Sequence, residues 1–249
     1  MLYAYTARVP LLRPVLTTLI RLADAAYRAG RPLLSDAAFD RLARLVPNAL
    51  PPLTDDLLSL DCHSEPQDWL AQHYGEQFTV QLKADGISVA LVYQDGLFTH
   101  AHLRGGRDCT AMALRAGALT DLPGLPPGRV VVKVEAIAPN ASRNACAAAL
   151  RRGKADFRIL LLAFDVSGLG IATQYKAIEW LRLAGFGTLG CTKTSDPAEV
   201  MQLFGEFCAQ QHLLPFACDG IVVKLDSKSL QDRLGATSRA PRWAISLKP

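Results

Sequence analysis

The 249-residue sequence predicts an α+β fold: mainly antiparallel sheets with flanking helices, preceded by a small helical N-terminal domain. Three observations predict it. Helical periodicity fills the stretch before residue 52, and period-two alternation first sets in at residue 78. Asp95-Gly96 between two alternating runs then marks an antiparallel hairpin.

In residues 15–27 the apolar positions Leu16, Leu19, Ile20 and Ala23 recur at helical spacing, and Gly30-Arg31-Pro32 stops the helix. Ser35 or Asp36 caps a second helix, residues 37–45, with Phe39, Leu42 and Leu45 on one face. Pro47, Pro51 and Pro52 mark a linker, which divides the chain into residues 1–52 and 53–249. Strands are expected at 78–83, 87–93, 97–103 and 129–137. A helix over 142–152, a buried strand over 157–166 and helices over 173–184 and 198–211 follow, the last opened by Asp196-Pro197. A strand at 220–225, a short helix at 230–234 and a final strand at 243–248 complete the pattern.

Half of the residues are apolar and 20% are charged, which supplies a sizeable core and excludes a disordered or fibrous chain. The net charge of +4 permits a nucleic-acid partner without requiring one. The six cysteines form no CxxC pair and no zinc-finger spacing, so they read as small buried hydrophobes in a reducing compartment, with no zinc. Residues 1–22 are apolar but broken by Arg8, Pro10, Arg13 and Pro14, unlike a signal peptide, and no run is long enough to span a membrane. A cytoplasmic protein is expected.

The chemistry-bearing residues sit where strands end. Lys83-Ala84-Asp85-Gly86 closes a strand, so Lys83 and Asp85 project to the same side while Gly86 admits a close approach. That suits a nucleophilic lysine in a walled pocket; a surface hairpin with a solvated charge pair is the plain alternative. Asp219-Gly220-Ile221-Val222-Val223-Lys224 ends an apolar strand in a charge, which fits either a cleft or an edge strand guarded against aggregation. Residues 242–248 repeat that pattern and end in Lys248, and Glu135 follows the apolar run 130–134. Lysines and carboxylates on apolar strands point to one polyanion site built on a sheet.

KxDG, a glutamate after an apolar strand, DGIVVK and RWAISLK, in this order, resemble the nucleotidyltransferase superfamily. More narrowly they resemble the NAD+-dependent DNA ligases of bacteria. Ala26-Tyr27 with residues 34–40 is similar to that family's nicotinamide-mononucleotide-binding domain, and residues 58–61 to its adenine-site segment. Ser142-Arg143-Asn144-Ala145 with Leu150-Arg151 resembles its RNAAAGSLR helix, and residues 238–244 its SRAPRWA run.

The resemblance implies an ATP-grasp-like adenylation domain with NAD+, Mg2+ and AMP as a covalent lysyl adduct. Lys83 would attack the α-phosphate, Lys224 and Lys248 would offset phosphoryl charge, and Asp85 and Asp219 would serve the metal or the amine. Glu135 would bind the ribose, Phe164 would stack on adenine, and Tyr27, Asp36, Phe39 and Asp40 would hold the mononucleotide half. For Phe164 and Phe39 a core aromatic is the other reading. Ser59, Leu60, Gln81, Gly86 and Arg104 complete the implied nucleotide site. Arg143, Arg151, Arg239 and Arg242 would face nicked double-stranded DNA. Gln81 stands at a family Glu, Arg28 at a His, Phe39 at a Tyr and Lys133 at an Arg. The family's OB-fold, zinc-finger, helix-hairpin-helix and BRCT modules are expected to be absent. Two other readings stay open: an adenylyltransferase using ATP or acting on RNA, and a non-catalytic nucleotide- or DNA-binding remnant. No membrane partner is expected, and the oligomeric state stays open.

Overall fold

The computed structural model describes residues 9–28, 33–46, 57–58, 60, 66–125, 127–139, 141–237 and 240–249. The chain divides into two compact units, Met1–Thr54 with Thr237–Arg239, and Asp55–Ala236 with Ala240–Pro249.

The first unit holds α1 (Val9–Arg28) and α2 (Asp36–Leu45). Helix α1 starts six residues ahead of the expected 15–27 and carries Pro14 inside it. Pro14, the sixth residue of α1, lacks the N–H that would bond the carbonyl of Pro10 and so removes one rung of the ladder. Ser35, rather than Asp36, opens α2: its hydroxyl and its carbonyl both accept from Ala38 N. Ile20, Ala23, Phe39 and Val46 form the core of this unit.

The second unit is two four-stranded antiparallel sheets. One sheet is built from β1 (Phe78–Ala84), β6 (Cys191–Thr194), β7 (Cys218–Leu225) and β8 (Ala244–Leu247), in the order β6-β1-β7-β8. The other is built from β2 (Ile87–Gln94), β3 (Leu97–Leu103), β4 (Arg129–Ile137) and β5 (Leu160–Ser167), in the order β3-β2-β4-β5. Asp95 and Gly96 join β2 to β3 with φ of 52° and 83°, the paired positive values that a tight two-residue hairpin needs. β5 begins three residues later than expected, at Leu160.

Helices cover the sheets through the faces their apolar residues create. α5 (Arg143–Arg152) and α6 (Gln174–Leu183) pack Cys146, Leu150, Ile178 and Leu181 onto Val132, Val134 and Ala163 of the second sheet. α7 (Pro197–Gln210) lays Val200 and Phe207 on Phe78, Val80, Ile221 and Val223 of the first. Side-chain caps fix where these helices start: Ser142 accepts from Ala145 N, Thr173 from Lys176 N and Asp196 from Ala198 N. Each such cap is worth about 1 kcal/mol. α8 (Lys228–Leu234) is capped by Ser227 and starts two residues before the expected 230.

Three short elements are absent from the sequence reading: α3 (Pro66–Gln72), α4 (Thr110–Arg115) and the edge strand β6. They are too short to build a period, and β6 is the mostly polar CTKT. Strand β2 is buried on both faces, because Leu57 covers Ala90 and Val92 on the side away from the main core. The cysteines are less uniform than expected: Cys109 and Cys146 are buried, whereas Cys191, Cys208 and Cys218 are half-exposed. Cys62 lies outside the described residues. Among the described residues no helix is long and apolar enough to cross a membrane.

Candidate active site

On β1 the even positions Phe78 and Val80 enter the core with α7, which turns Thr79, Gln81 and Lys83 to the opposite face. Register across the sheet puts Lys224 beside Thr79, Val222 beside Gln81 and Gly220 beside Lys83. The pairing slips between Lys83 and Ala84, whose partners are Gly220 and Cys218, so Asp219 is the extra residue of a bulge. A bulge re-aims a side chain. Here Asp219 accepts from Lys83 Nζ at 2.8 Å and from Lys248 Nζ at 2.7 Å, one lysine on each carboxylate oxygen. Burial alone would raise this carboxyl, but the hydrogen bonds from Lys248 and Lys83 outweigh it and hold Asp219 below the usual carboxylate range.

Gly220 keeps the row between these lysines empty. A Cβ there would stand 2.1 Å from the carbonyl oxygen of Leu247 and 3.3 Å from Lys248 Cγ. Gly86 performs the same service at the other sheet. A Cβ on it would meet Ala136 O at 2.6 Å and Glu135 Cγ at 2.9 Å, so only glycine lets the turn after β1 lie against β4. Arg143 clamps that turn, donating from Nε to Gly86 O at 2.9 Å and pairing with Asp85 Oδ1 at 3.3 Å.

Glu135 on β4 accepts from Ser88 Oγ at 2.8 Å, the residue opposite it on β2. Burial pushes its carboxyl up to about 7, against the pull of Ser88, Lys83, Arg143 and Arg104. Lys224 is 5% exposed. Its Nζ donates to Phe164 O at 3.0 Å and stands 5.3 Å over the Phe164 ring. Burial pulls its ammonium down to about 8, although Asp165 opposes that shift.

A buried network behind Lys224 was not legible as part of a site. Gln174, fully buried, donates to Phe164 O at 3.1 Å and accepts from Lys228 Nζ at 2.6 Å. Lys228 also pairs with Asp165 at 2.7 Å, and the lysines at 228, 133 and 224 hold that carboxyl well below its ordinary range despite burial. The available signal was a charge inside the buried strand 157–166, the same signal that singled out Lys224.

Among the described residues, two buried polar groups on the Lys83 face have no hydrogen-bond partner: the Thr79 hydroxyl and both amide atoms of Gln81. An orphaned buried amide costs about 1–3 kcal/mol, an expense that a ligand on this face would relieve.

Other expected residues fall elsewhere. Phe164 is half-buried between Lys224 and the apolar residues Leu160, Leu162 and Leu189. Phe39 is built into the core of the first unit. Arg242 spends its guanidinium on the carbonyls of Ala236 and Leu234 at 3.0 and 3.5 Å, bracing the chain that leads into β8. Arg104 is exposed on the turn after β3, Arg151 is exposed on α5 and Leu60 is half-buried. Ser59 and Arg239, and the side chains of Tyr27, Asp36 and Asp40, lie outside the described residues.

Asp85 and Asp219 do not fit a resident Mg2+. Asp219 is taken on both oxygens by ammonium groups and Asp85 is paired with Arg143. Among the described residues no three His, Cys, Asp or Glu side chains gather as a metal-holding group.

Two antiparallel sheets, with three lysines on one sheet face and a glutamate opposite, define a nucleotidyltransferase-type domain. The solved structure "Pmar-Lig_PreS3" shares the fold, with a TM-score of 0.54 at 14% identity over 88% of this chain and 52% of that one. Residues 132–249, a little under half of the chain, match the family model of the NAD-dependent DNA ligase adenylation domain. It is similar to a DNA ligase of Synechococcus sp. (strain RCC307), 32% identical over 206 residues, 69% of this chain and 30% of that protein. DNA ligase 1 of Deinococcus deserti is 34% identical over 203 residues, 69% of this chain and 29% of that protein. The match thus spans less than a third of these relatives' length.

Proposed function

We propose that this chain is the adenylation unit of an NAD+-dependent DNA ligase. Residues 1–52 would serve the nicotinamide mononucleotide half through Tyr27, Asp36 and Asp40, and residues 53–249 would carry the transfer. The observation that supports this most is the shared carboxylate, Asp219, which aims Lys83 and Lys248 from one bulge, on the sheet face that also carries buried Lys224.

Lys83 Nζ, once neutral, attacks the α-phosphorus of NAD+. The N–P bond forms as the P–O bond to nicotinamide mononucleotide breaks; the leaving group keeps the electron pair and the amine's proton passes to water. Asp219 lies below the usual carboxylate range and is a weak base, so it directs the amine rather than deprotonating it. Lys224 and Lys248 offset the charge that builds on the phosphoryl oxygens, and burial makes Lys224 the more effective fixed cation of the two.

Gln81 and Phe164 face the adenine, with Ser59 and Leu60 beside it, and Glu135 accepts from the ribose hydroxyls. Arg143 holds the loop of Asp85 and Gly86, and Arg104 lies near Glu135. The AMP then passes to the 5′-phosphate of nicked double-stranded DNA, with Arg151, Arg239 and exposed parts of Arg143 and Arg242 on the DNA backbone. Mg2+ would enter with the nucleotide's phosphates. The setting is cytoplasmic.

The test is release of nicotinamide mononucleotide by purified protein. NAD+ should release about one equivalent per chain, ATP should form no adduct, and Lys83→Ala should release nothing. Folded protein that releases none, or a Lys83→Ala variant that still releases it, would overturn the reading.

A further inference from the structure

Gln81 is 3% exposed, lies on the same face of β1 as Lys83, and has no hydrogen-bond partner on either amide atom. Buried amides are ordinarily held in one orientation by neighbours, which fixes which end donates and which accepts. No described neighbour does this for Gln81. Its cross-strand partners on that face are Val222 and Cys191, neither able to fix an amide strongly.

An amide offers one donor and one acceptor side by side. Adenine presents a 6-amino donor next to the N1 acceptor. Hypoxanthine presents the reverse, a 6-oxo acceptor next to the N1–H donor. A Gln amide pairs with the first pattern in one orientation and with the second after a half-turn about its last torsion, bidentate in both cases. A carboxylate at the same position can only accept, and would meet the 6-oxo group with like against like.

We propose that Gln81 makes the base site tolerant at purine position 6, so that Lys83 takes its nucleotidyl group from 6-oxopurine as well as 6-aminopurine nicotinamide dinucleotides. This rests on the reading of Lys83 and NAD+ given above. The transfer itself is unchanged: the Lys83 N–P bond forms, the P–O bond to nicotinamide mononucleotide breaks, and that mononucleotide leaves with the electron pair while the amine's proton goes to water. Only the carried base differs.

The probe is nicotinamide hypoxanthine dinucleotide, compared with NAD+ on the intact chain by rate of adduct formation and by mass. The expected result is an IMP adduct in wild type, formed within about tenfold of the AMP adduct's rate, where a site that rejects an unmatched polar group would discriminate by at least about a thousandfold. Gln81→Glu should lower the IMP adduct by roughly a hundredfold more than it lowers the AMP adduct. If wild type forms the AMP adduct but the hypoxanthine rate is more than about a thousandfold lower, the tolerance is overturned and the Lys83 reading stands. If neither dinucleotide gives an adduct in folded protein, both fall. Because the wild-type comparison decides by itself, a misfolded Gln81→Glu leaves the proposal open to refutation.

Discussion

Lys83 and Lys248, 165 positions apart in sequence, are held by one carboxylate, Asp219, at 2.8 and 2.7 Å. The geometry follows from a single irregularity. Because β7 carries one extra residue opposite β1, Asp219 leaves the strand's alternation and reaches both lysines.

Asp219→Asn should therefore slow adenylate formation while leaving the fold intact. A neutral amide cannot accept from two ammonium groups with the same strength, so both lysines lose their aim. A loss of about a hundredfold in single-turnover rate is expected, with unchanged circular dichroism. A rate within a few fold of wild type would show that the bulge does not position the nucleophile.

On the proposed function, Lys224 would set a pH limit on anion binding. Burial brings its ammonium to about 8, so it is charged below that pH and neutral above it. AMP affinity should fall as pH rises through about 8 in calorimetric titrations, and the limb should vanish in Lys224→Met. Bound phosphate favours the charged form, so the same limb in the complex should lie higher.

The pair Asp165–Lys228 ties β5 to α8. Asp165→Asn leaves the lysines at 133, 224 and 228 without a buried counter-charge, and should cost about 3 kcal/mol in urea unfolding at pH 7. For the sign, a carboxyl lowered on folding contributes above its unfolded pKa and is lost as pH falls through the folded one. The difference between wild type and variant should therefore be full at neutral pH and shrink below about pH 4.

Gly220→Ala should be severe despite its small volume. The added methyl would press on the Leu247 carbonyl of the neighbouring strand, which is backbone and cannot turn aside. We expect a loss of roughly 3 kcal/mol or more, read as a lower urea midpoint. An exposed glycine with open space, such as Gly205, should accept alanine with no such loss.

The sequence makes the lysines at 83, 224 and 248 legible, because a charge at the end of an apolar strand is costly without a purpose. The antiparallel fold class is legible for a similar reason: alternation and the Asp95-Gly96 turn are local signals. Asp219's grip on two lysines at once is not, since a bulge depends on which residue of a distant strand lies opposite. Gln174 and Lys228 read singly as polar residues on helices, and only the packing of α6 and α8 brings them behind Lys224. Arg143 carries a motif that suggests nucleic acid, yet its guanidinium braces Asp85 and Gly86. The short elements α3, α4 and β6 leave too few residues for any period to register.

The most direct measurement is tandem mass spectrometry on peptides of the chain after incubation with NAD+ and Mg2+. One AMP in phosphoramidate linkage on Lys83, and on no other lysine, is the predicted result. An adduct on Lys224 or Lys248 instead, or unmodified Lys83 in folded protein that was free of AMP at the start, would contradict the assignment of Lys83 as the nucleophile.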